Sequence, residues 1–370
     1  MNFKHTLENE TLRNKLRTIV LNSPFRKWYL RERIGIEPYN GTSSVDIEWK
    51  TQVGMFPNGD CVHEIQVKHP NAQDLEGLTI ALISDLHLGE RHTSLLRKIF
   101  PFIRKPDDTV PDFIDQYRAY FERTKGKIDV VLVGGDLSKE GKISNIKEHK
   151  HFFEELVDVP NLSDVNGRPA TYFICGNHDY FNGRWIRLAE ELESYGLTYL
   201  DNISTKLNYQ KNPIHIVGLR DLYFYKTQQP KEHKNRINWW QSIYDASSQD
   251  YNDAIPDENN VLVMAHNLDG FNGKITKNPL AIFSGHTHAG EFNFLGINAI
   301  FKLMFTDAYH NINNHIRGAK QLGDTFSYVS PGSVSRLKTD YGISRFGFPK
   351  KVPKPGMSVI KFVNEFEERV

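Results

Sequence analysis

Five short apolar runs, each closing on the same kinds of residue, constrain this chain more than any other feature. Residues 78–84 lead into Asp85-Leu86-His87. Residues 129–133 lead into Gly134-Gly135-Asp136, and 170–175 into Gly176-Asn177-His178-Asp179. Residues 260–265 end at His266, and 279–283 at Ser284-Gly285-His286-Thr287-His288. Short, nearly continuous apolar runs bounded by glycine are what strands buried on both faces look like. In open α/β sheets, ligands gather outside the carboxyl ends of the strands. Five such ends on one edge would bring Asp85, His87, Asp136, Asn177, His266, His286 and His288 into one cleft. Taken singly, each motif is an ordinary strand end, turn or helix cap. Their order and shared strand context are what point to chemistry.

The donor set is carboxylate, imidazole and carboxamide, with no thiolate. Such N/O ligation suits Mn²⁺, Fe, Zn²⁺ or Co²⁺. Seven groups are too many for one ion but can hold two, with one carboxylate between them. A two-metal clamp suits in-line displacement at phosphorus. A bridging hydroxide, acidified by both cations, would be the nucleophile. The 15 histidines fit a metal-binding chain; the two cysteines, Cys61 and Cys175, are far apart and form no zinc or disulfide pattern. With 39% hydrophobic and 25% charged residues, global disorder is excluded. A net charge of +1 gives no general attraction for nucleic acid, and no specific nucleic-acid partner is expected.

The remaining chain suggests one domain over 44–370 with an N-terminal helical extension over 1–43. Leu12, Leu16, Ile19 and Val20 recur at helical spacing. Phe25, Trp28 and Tyr29 follow, interleaved with Arg26, Lys27, Arg31 and Arg33. This is either a helix packed on the domain or one lying at a lipid interface. Alternation predicts strands within 44–69, and closing strands are expected at 327–330 and 357–362. Helices are expected within 93–127, 145–158 and 184–195, whereas 220–258 reads as polar and irregular. Residues 291–318 form a hydrophobic insertion, either a helix over the sheet or a lid that meets membrane. The N-terminal stretch lacks the apolar core of a signal peptide, and no run reaches the ~18 residues of a membrane span. A cytoplasmic protein is expected, free or peripheral on the inner membrane face.

The series Asp85-x-His87, Gly135-Asp136, Gly176-Asn177-His178-Asp179, His266 and Gly285-His286-x-His288 resembles the calcineurin-like metallophosphoesterase superfamily over about residues 77–362. The resemblance implies a four-layered α/β/β/α sandwich with a dinuclear site at the strand ends. It implies one metal on Asp85, His87 and His288, another on Asn177, His266 and His286, and Asp136 between them. His178 would act on the transition state or leaving oxygen as a non-ligand imidazole, with Asp179 orienting it. Lys139 stands where purple acid phosphatases carry a metal-binding tyrosine, which disfavours that branch. The layout is similar to bacterial membrane-associated phosphoesterases of the Gly-His-Thr-His-Gly-Gly-Gln type, although this chain has Ala289-Gly290-Glu291 there. That branch includes UDP-2,3-diacylglucosamine hydrolases.

The leading expectation is a hydrolase of phosphoester or pyrophosphate bonds that uses two divalent ions, Mn²⁺ first among them, and acts on a lipid-linked, membrane-associated substrate such as UDP-2,3-diacylglucosamine. The competing expectations are a soluble phosphodiesterase for nucleotides and an inactive interaction scaffold. Arg91, Lys302, Arg317, Lys320, Arg220 and Asn182 are further candidates near the cleft.

Overall fold

Continuous apolar runs give strands that must be covered on both sides, and the chain answers with two stacked sheets and helices outside each. The computed structural model describes residues 37–39, 41, 43–55, 61–89, 113–210, 212–229, 239–287, 313, 315, 317–333 and 356–367. The strands are, in chain order, β1 (Glu48–Met55), β2 (Cys61–Lys68), β3 (Thr79–Ile83), β4 (Val130–Val133), β5 (Thr171–Phe173), β6 (Thr198–Tyr199), β7 (Ile203–Tyr209), β8 (Asn212–Leu219), β9 (Val261–Ala265), β10 (Ala281–Ser284), β11 (Gly318–Leu322), β12 (Thr325–Val329) and β13 (Gly356–Phe362). One sheet runs β1-β2-β13-β3-β4-β5-β6 and the other β11-β12-β10-β9-β8-β7. Strands β3 to β6 are mutually parallel, as are β8, β9, β10 and β12.

Side-chain alternation assigns each strand's residues to different layers. Ile80, Leu82, Val130, Leu132 and Tyr172 meet Ile216, Leu262, Met264 and Phe283 in the core between the sheets. Their neighbours Ala81, Ile83, Val131, Val133 and Phe173 face outward. There they pack on helices α1 (Phe113–Arg123), α2 (Ile143–Glu148), α3 (Lys150–Val157) and α4 (Trp185–Glu193). On the far side, Val217, Leu219, Val263 and Ile282 pack on α5 (Leu222–Gln228) and α6 (Trp239–Ala254) through Tyr225, Ile243, Tyr244 and Tyr251. The result is the expected α/β/β/α sandwich. All four residues of β4 are fully buried, and truncating one such as Leu132 to Ala costs roughly 2–5 kcal/mol.

Several elements differ from the sequence reading. The single helix expected over 145–158 is two, α2 and α3, separated at His149 (φ −110°). The irregular stretch expected over 220–258 contains helices α5 and α6. Alternation suggested a strand from Val45, but β1 starts at Glu48 and continues to Met55. Residues 1–36 of the extension expected over 1–43 and most of the 291–318 insertion lie outside the described residues. No helix among the described residues is long and apolar enough to cross a membrane.

Candidate metal centre

Parallel strands β3, β4, β5, β9 and β10 all deliver their carboxyl ends to one edge of the sandwich. Past β3 and β4 the backbone ladder continues into the loops. Asp85 N–H donates to Gly135 O at 2.9 Å, His87 N–H to Asp136 O at 2.9 Å and Leu88 N–H to Leu137 O at 3.0 Å. The first two loops therefore run side by side. Within them Asp85 (φ 55°), His87 (43°) and Asp136 (52°) adopt left-handed backbone, as does His286 (66°) after β10. Left-handed residues other than glycine are uncommon, and such strain collects at functional sites.

Asp136 is the meeting point. Its Oδ1 accepts the His178 N–H at 2.8 Å. Its Oδ2 lies 3.3 Å from His266 Nε2 and 3.6 Å from His87 Nε2. Asn177 Oδ1 lies 2.8 Å from His286 Nδ1 and 3.3 Å from His266 Nε2. The two Asp85 oxygens accept the His286 N–H at 3.0 and 3.1 Å. These approaches need glycine at two positions. A Cβ on Gly176 would stand 2.4 Å from Asp136 Oδ1, and one on Gly285 2.5 Å from Asp85 Oδ2.

Two clusters of donor atoms result, each drawn within 4.8 Å: His87, Asp136 and His178, and Asp136, His266 and His286. Asp136 belongs to both. The first cluster includes His178, which the sequence reading keeps out of the ligand set. His178 is half-buried while His87, Asp136 and His266 are buried. His288 lies outside the described residues.

The residues suit a divalent cation. His266 Nδ1 donates to the Gly134 carbonyl at 2.7 Å, which leaves Nε2 as the nitrogen facing Asp136 and Asn177. Burial alone would push His266 down, but the charge of Asp136 and its hydrogen bond, with Asp85 and Asp221 behind, hold it well above its usual value. Burial alone would raise Asp136, yet the His266, His178 and His87 rings hold it well below the ordinary carboxylate range. Proton and cation thus compete for one set of lone pairs.

Asp179 has a different set of bonds from the one expected. Its carboxylate accepts the backbone N–H groups of Gly176 (2.9 Å), Ser138 (3.1 Å) and Leu137 (3.1 and 3.2 Å). It ties the β4 loop to the β5 loop. Burial and the nearby Asp136 charge push it up to about 7 against these donors. Arg220 is committed to Asp201, with its Nη2 at 2.7 Å, and lies over the Phe224 ring at 4.2 Å. Lys320 Nζ donates to Asn313 O at 2.7 Å. Asn182 Nδ2 donates to Glu140 O (2.6 Å) and Gly141 O (3.1 Å), bracing a loop. Arg91 and Lys302 lie outside the described residues. Asp221, which sequence places with Arg220 after a strand at the border of the cleft, is buried, caps α5 through the Tyr223 N–H at 2.7 Å and is raised by burial to about 6.

A sequence model of calcineurin-like phosphoesterases matches residues 78–290. The chain is 23% identical over 270 residues to a Danio rerio "transmembrane protein with metallophosphoesterase domain", covering 70% of this chain and 49% of that protein. It spans about half the length of the curated relatives it matches. Among solved structures, it is similar to phosphopantetheinyl hydrolase PptH from Mycobacterium tuberculosis (13% identity, TM-score 0.36, 73% of this chain and 95% of that one). It is also similar to the calcineurin-like phosphoesterase YfkN from Bacillus subtilis (14%, TM-score 0.32, 57% and 72%).

Proposed function

The chain belongs to the calcineurin-like phosphoesterase family, and from that premise we propose that it hydrolyses phosphoester or pyrophosphate bonds at the Asp136 cleft with two divalent cations. The observation that supports this best is the sharing of Asp136 between two donor clusters at the carboxyl ends of strands from both sheets. Asn177, His266 and His286 would hold one cation; Asp85 and His87, with His288, would hold the other; Asp136 would lie between them. Such cations neutralise charge at phosphoryl oxygens and acidify water; Mn²⁺ is the first candidate.

The chain's own groups then have distinct tasks. His266 keeps its Nδ1 proton on Gly134 O and presents Nε2. Asp179 fixes the spacing of the β4 and β5 loops through backbone N–H groups. His178, with Nδ1 buried, presents Nε2 to the substrate and protonates the departing oxygen as the P–O bond breaks. Water supplies the oxygen of the new P–O bond. Burial of Asp136, His87 and His266 limits bulk water around the ligands, which strengthens each charge interaction there.

The finer proposal is a lipid-linked substrate, with the chain peripheral to a membrane. The apolar composition of residues 292–305, directly after His288, supports it, as does the word transmembrane in the Danio rerio relative's name. The test is a Mn²⁺-supplemented screen of p-nitrophenyl mono- and diesters, nucleotides and UDP-linked lipids, with liposome flotation alongside. Turnover that disappears with chelator and returns with Mn²⁺ is expected. A well-folded protein that binds no divalent cation and turns over none of these would reject the hydrolase in favour of a scaffold.

A further inference from the structure

One side of His178 is lined by aromatic rings that the hydrolytic chemistry does not require. The His178 ring has His87 edge-on at 4.7 Å on one flank and Phe181 at 4.4 Å on another. Phe181 is 44% exposed. Tyr223, at the start of α5, meets Phe181 at 5.0 Å. Lys226, one turn on, lies 5.9 Å from the Tyr223 ring and 5.4 Å from Trp240.

The sequence neighbours of Phe181 and Tyr223, Tyr180 and Phe224, pack on one another and on Trp185. Phe224 meets Tyr180 at 5.9 Å and Trp185 at 5.7 Å, and Tyr180 meets Trp185 at 5.3 Å. The turn that carries Phe181 is fixed from below by the Asn182 amide on Glu140 O and Gly141 O. Helix α5 is fixed by its Asp221 cap. Phe181 is therefore held as a ledge beside the imidazole and is not a loose loop tip. A lone exposed apolar residue needs no explanation; one tilted at 42° against a proposed catalytic ring and in contact with a second aromatic ring does.

Building on the phosphoesterase reading, we propose that Phe181 and Tyr223 form a stacking shelf. It selects phosphate esters whose substituent beside His178 is a flat aromatic ring. A phosphoryl group at His178 places its nearest substituent within a ring's width of Phe181. An exposed π-face gains most by covering another π-face.

Calorimetric titration of the Mn²⁺-loaded full chain with phenyl-, cyclohexyl- and methylphosphonate tests the shelf without turnover. Phenylphosphonate should bind about tenfold tighter than methylphosphonate and clearly tighter than cyclohexylphosphonate. Phe181→Ala should abolish the preference, Phe181→Trp should keep it and Tyr223→Ala should weaken it. The melting temperature of Phe181→Ala checks that folding is intact. Equal affinities in the wild type, or a preference that survives Phe181→Ala, overturn the proposal; cyclohexyl binding equal to phenyl overturns stacking. Thymidine 5′-monophosphate against deoxyribose 5-phosphate separates a nucleobase from a simple aryl group. Hydrolysis of bis-p-nitrophenyl phosphate, measured separately, reads the parent activity. Inert protein with an intact phenyl preference refutes hydrolysis alone, and active protein without it refutes the shelf alone.

Discussion

The two sheets contribute unequal halves of the cleft. Strands β3, β4 and β5 bring all the described oxygen donors, Asp85, Asp136 and Asn177, together with His87 and His178. Strands β9 and β10 bring only imidazoles, His266 and His286. The halves are also assembled differently. The first is a continuation of the backbone ladder, Asp85 on Gly135 and His87 on Asp136, cross-braced by Asp179 on three N–H groups. The second reaches the first mostly through side chains, with His266 on Gly134 O, His286 N–H on Asp85 and His286 Nδ1 at Asn177. A backbone bond from Ser333 N–H to Ser84 O adds to these. The first sheet thus carries the carboxylates of the cleft, and the second faces them with imidazoles.

The severest way to break this asymmetry is Asp136→Ala, which removes the one carboxylate both halves share. Both cations and all turnover should be lost, while His286→Ala should release one cation and leave the other; elemental analysis distinguishes them. Two cations retained by Asp136→Ala would disprove its place between the sites. Next is His178→Ala, which should keep both cations and lose roughly 10²–10⁴-fold in turnover. A cation lost with it would instead make His178 a ligand of the first half.

A smaller effect is expected from Gly285→Ala, which sets a methyl group against Asp85 Oδ2 exactly where the halves meet. Overpacking of this kind costs about 1–3 kcal/mol, visible as a lower melting temperature and weaker metal binding; an unchanged protein would show the junction to be pliable. The smallest effect is at Asp164, away from the cleft. It accepts the Asn166 and Arg168 N–H groups at 2.8 and 2.9 Å and pairs with the Arg168 guanidinium at 2.7 Å. Burial works against its charge, but these donors and Arg168 lower its pKa, whereas Asp179 is raised by burial and then by the Asp136 charge despite its N–H donors. A lowered folded-state value contributes stability above the unfolded pKa and loses it as pH falls through the folded one. Asp164→Asn should therefore cost about 1–2 kcal/mol at neutral pH, with the deficit closing in acid. A deficit independent of pH would mean that shape, not charge, matters there.

The five site strands were legible in sequence because each is apolar at nearly every buried position, with Thr171 and Ser284 the hydroxyl exceptions at strand ends. Helix α6 was not. Its buried face alternates Ile243, Tyr244 and Tyr251 with Ser247 and Ser248, and two small hydroxyls erase the apolar stripe. The Ser248 hydroxyl instead pairs with Asn272 at 3.1–3.3 Å. Strand β6, two residues long, and β11, half-buried along most of its length, carried too little pattern to be seen. In the site, Asp136, Asn177 and His286 were legible as candidate ligands because each follows a glycine, and Asp85, His87 and His266 because they close apolar runs. The task of Asp179 was not, since its donors are backbone N–H groups that any residue carries. The approach of Tyr223 to Phe181 was not either, since it spans 42 positions and depends on where α5 begins.

The left-handed backbone at Asp85, His87, Asp136 and His286 has a consequence for how such a cleft tolerates change. Asp, Asn and His are the side-chain-bearing residues that enter this conformation most readily. They are also the residues that offer oxygen or nitrogen to a cation. A library randomised at these four positions and selected for folding alone, with chelator present, should still return Asp, Asn, His and Gly above chance. The loops thereby keep metal-binding alphabets within short mutational reach even when no metal is being selected for.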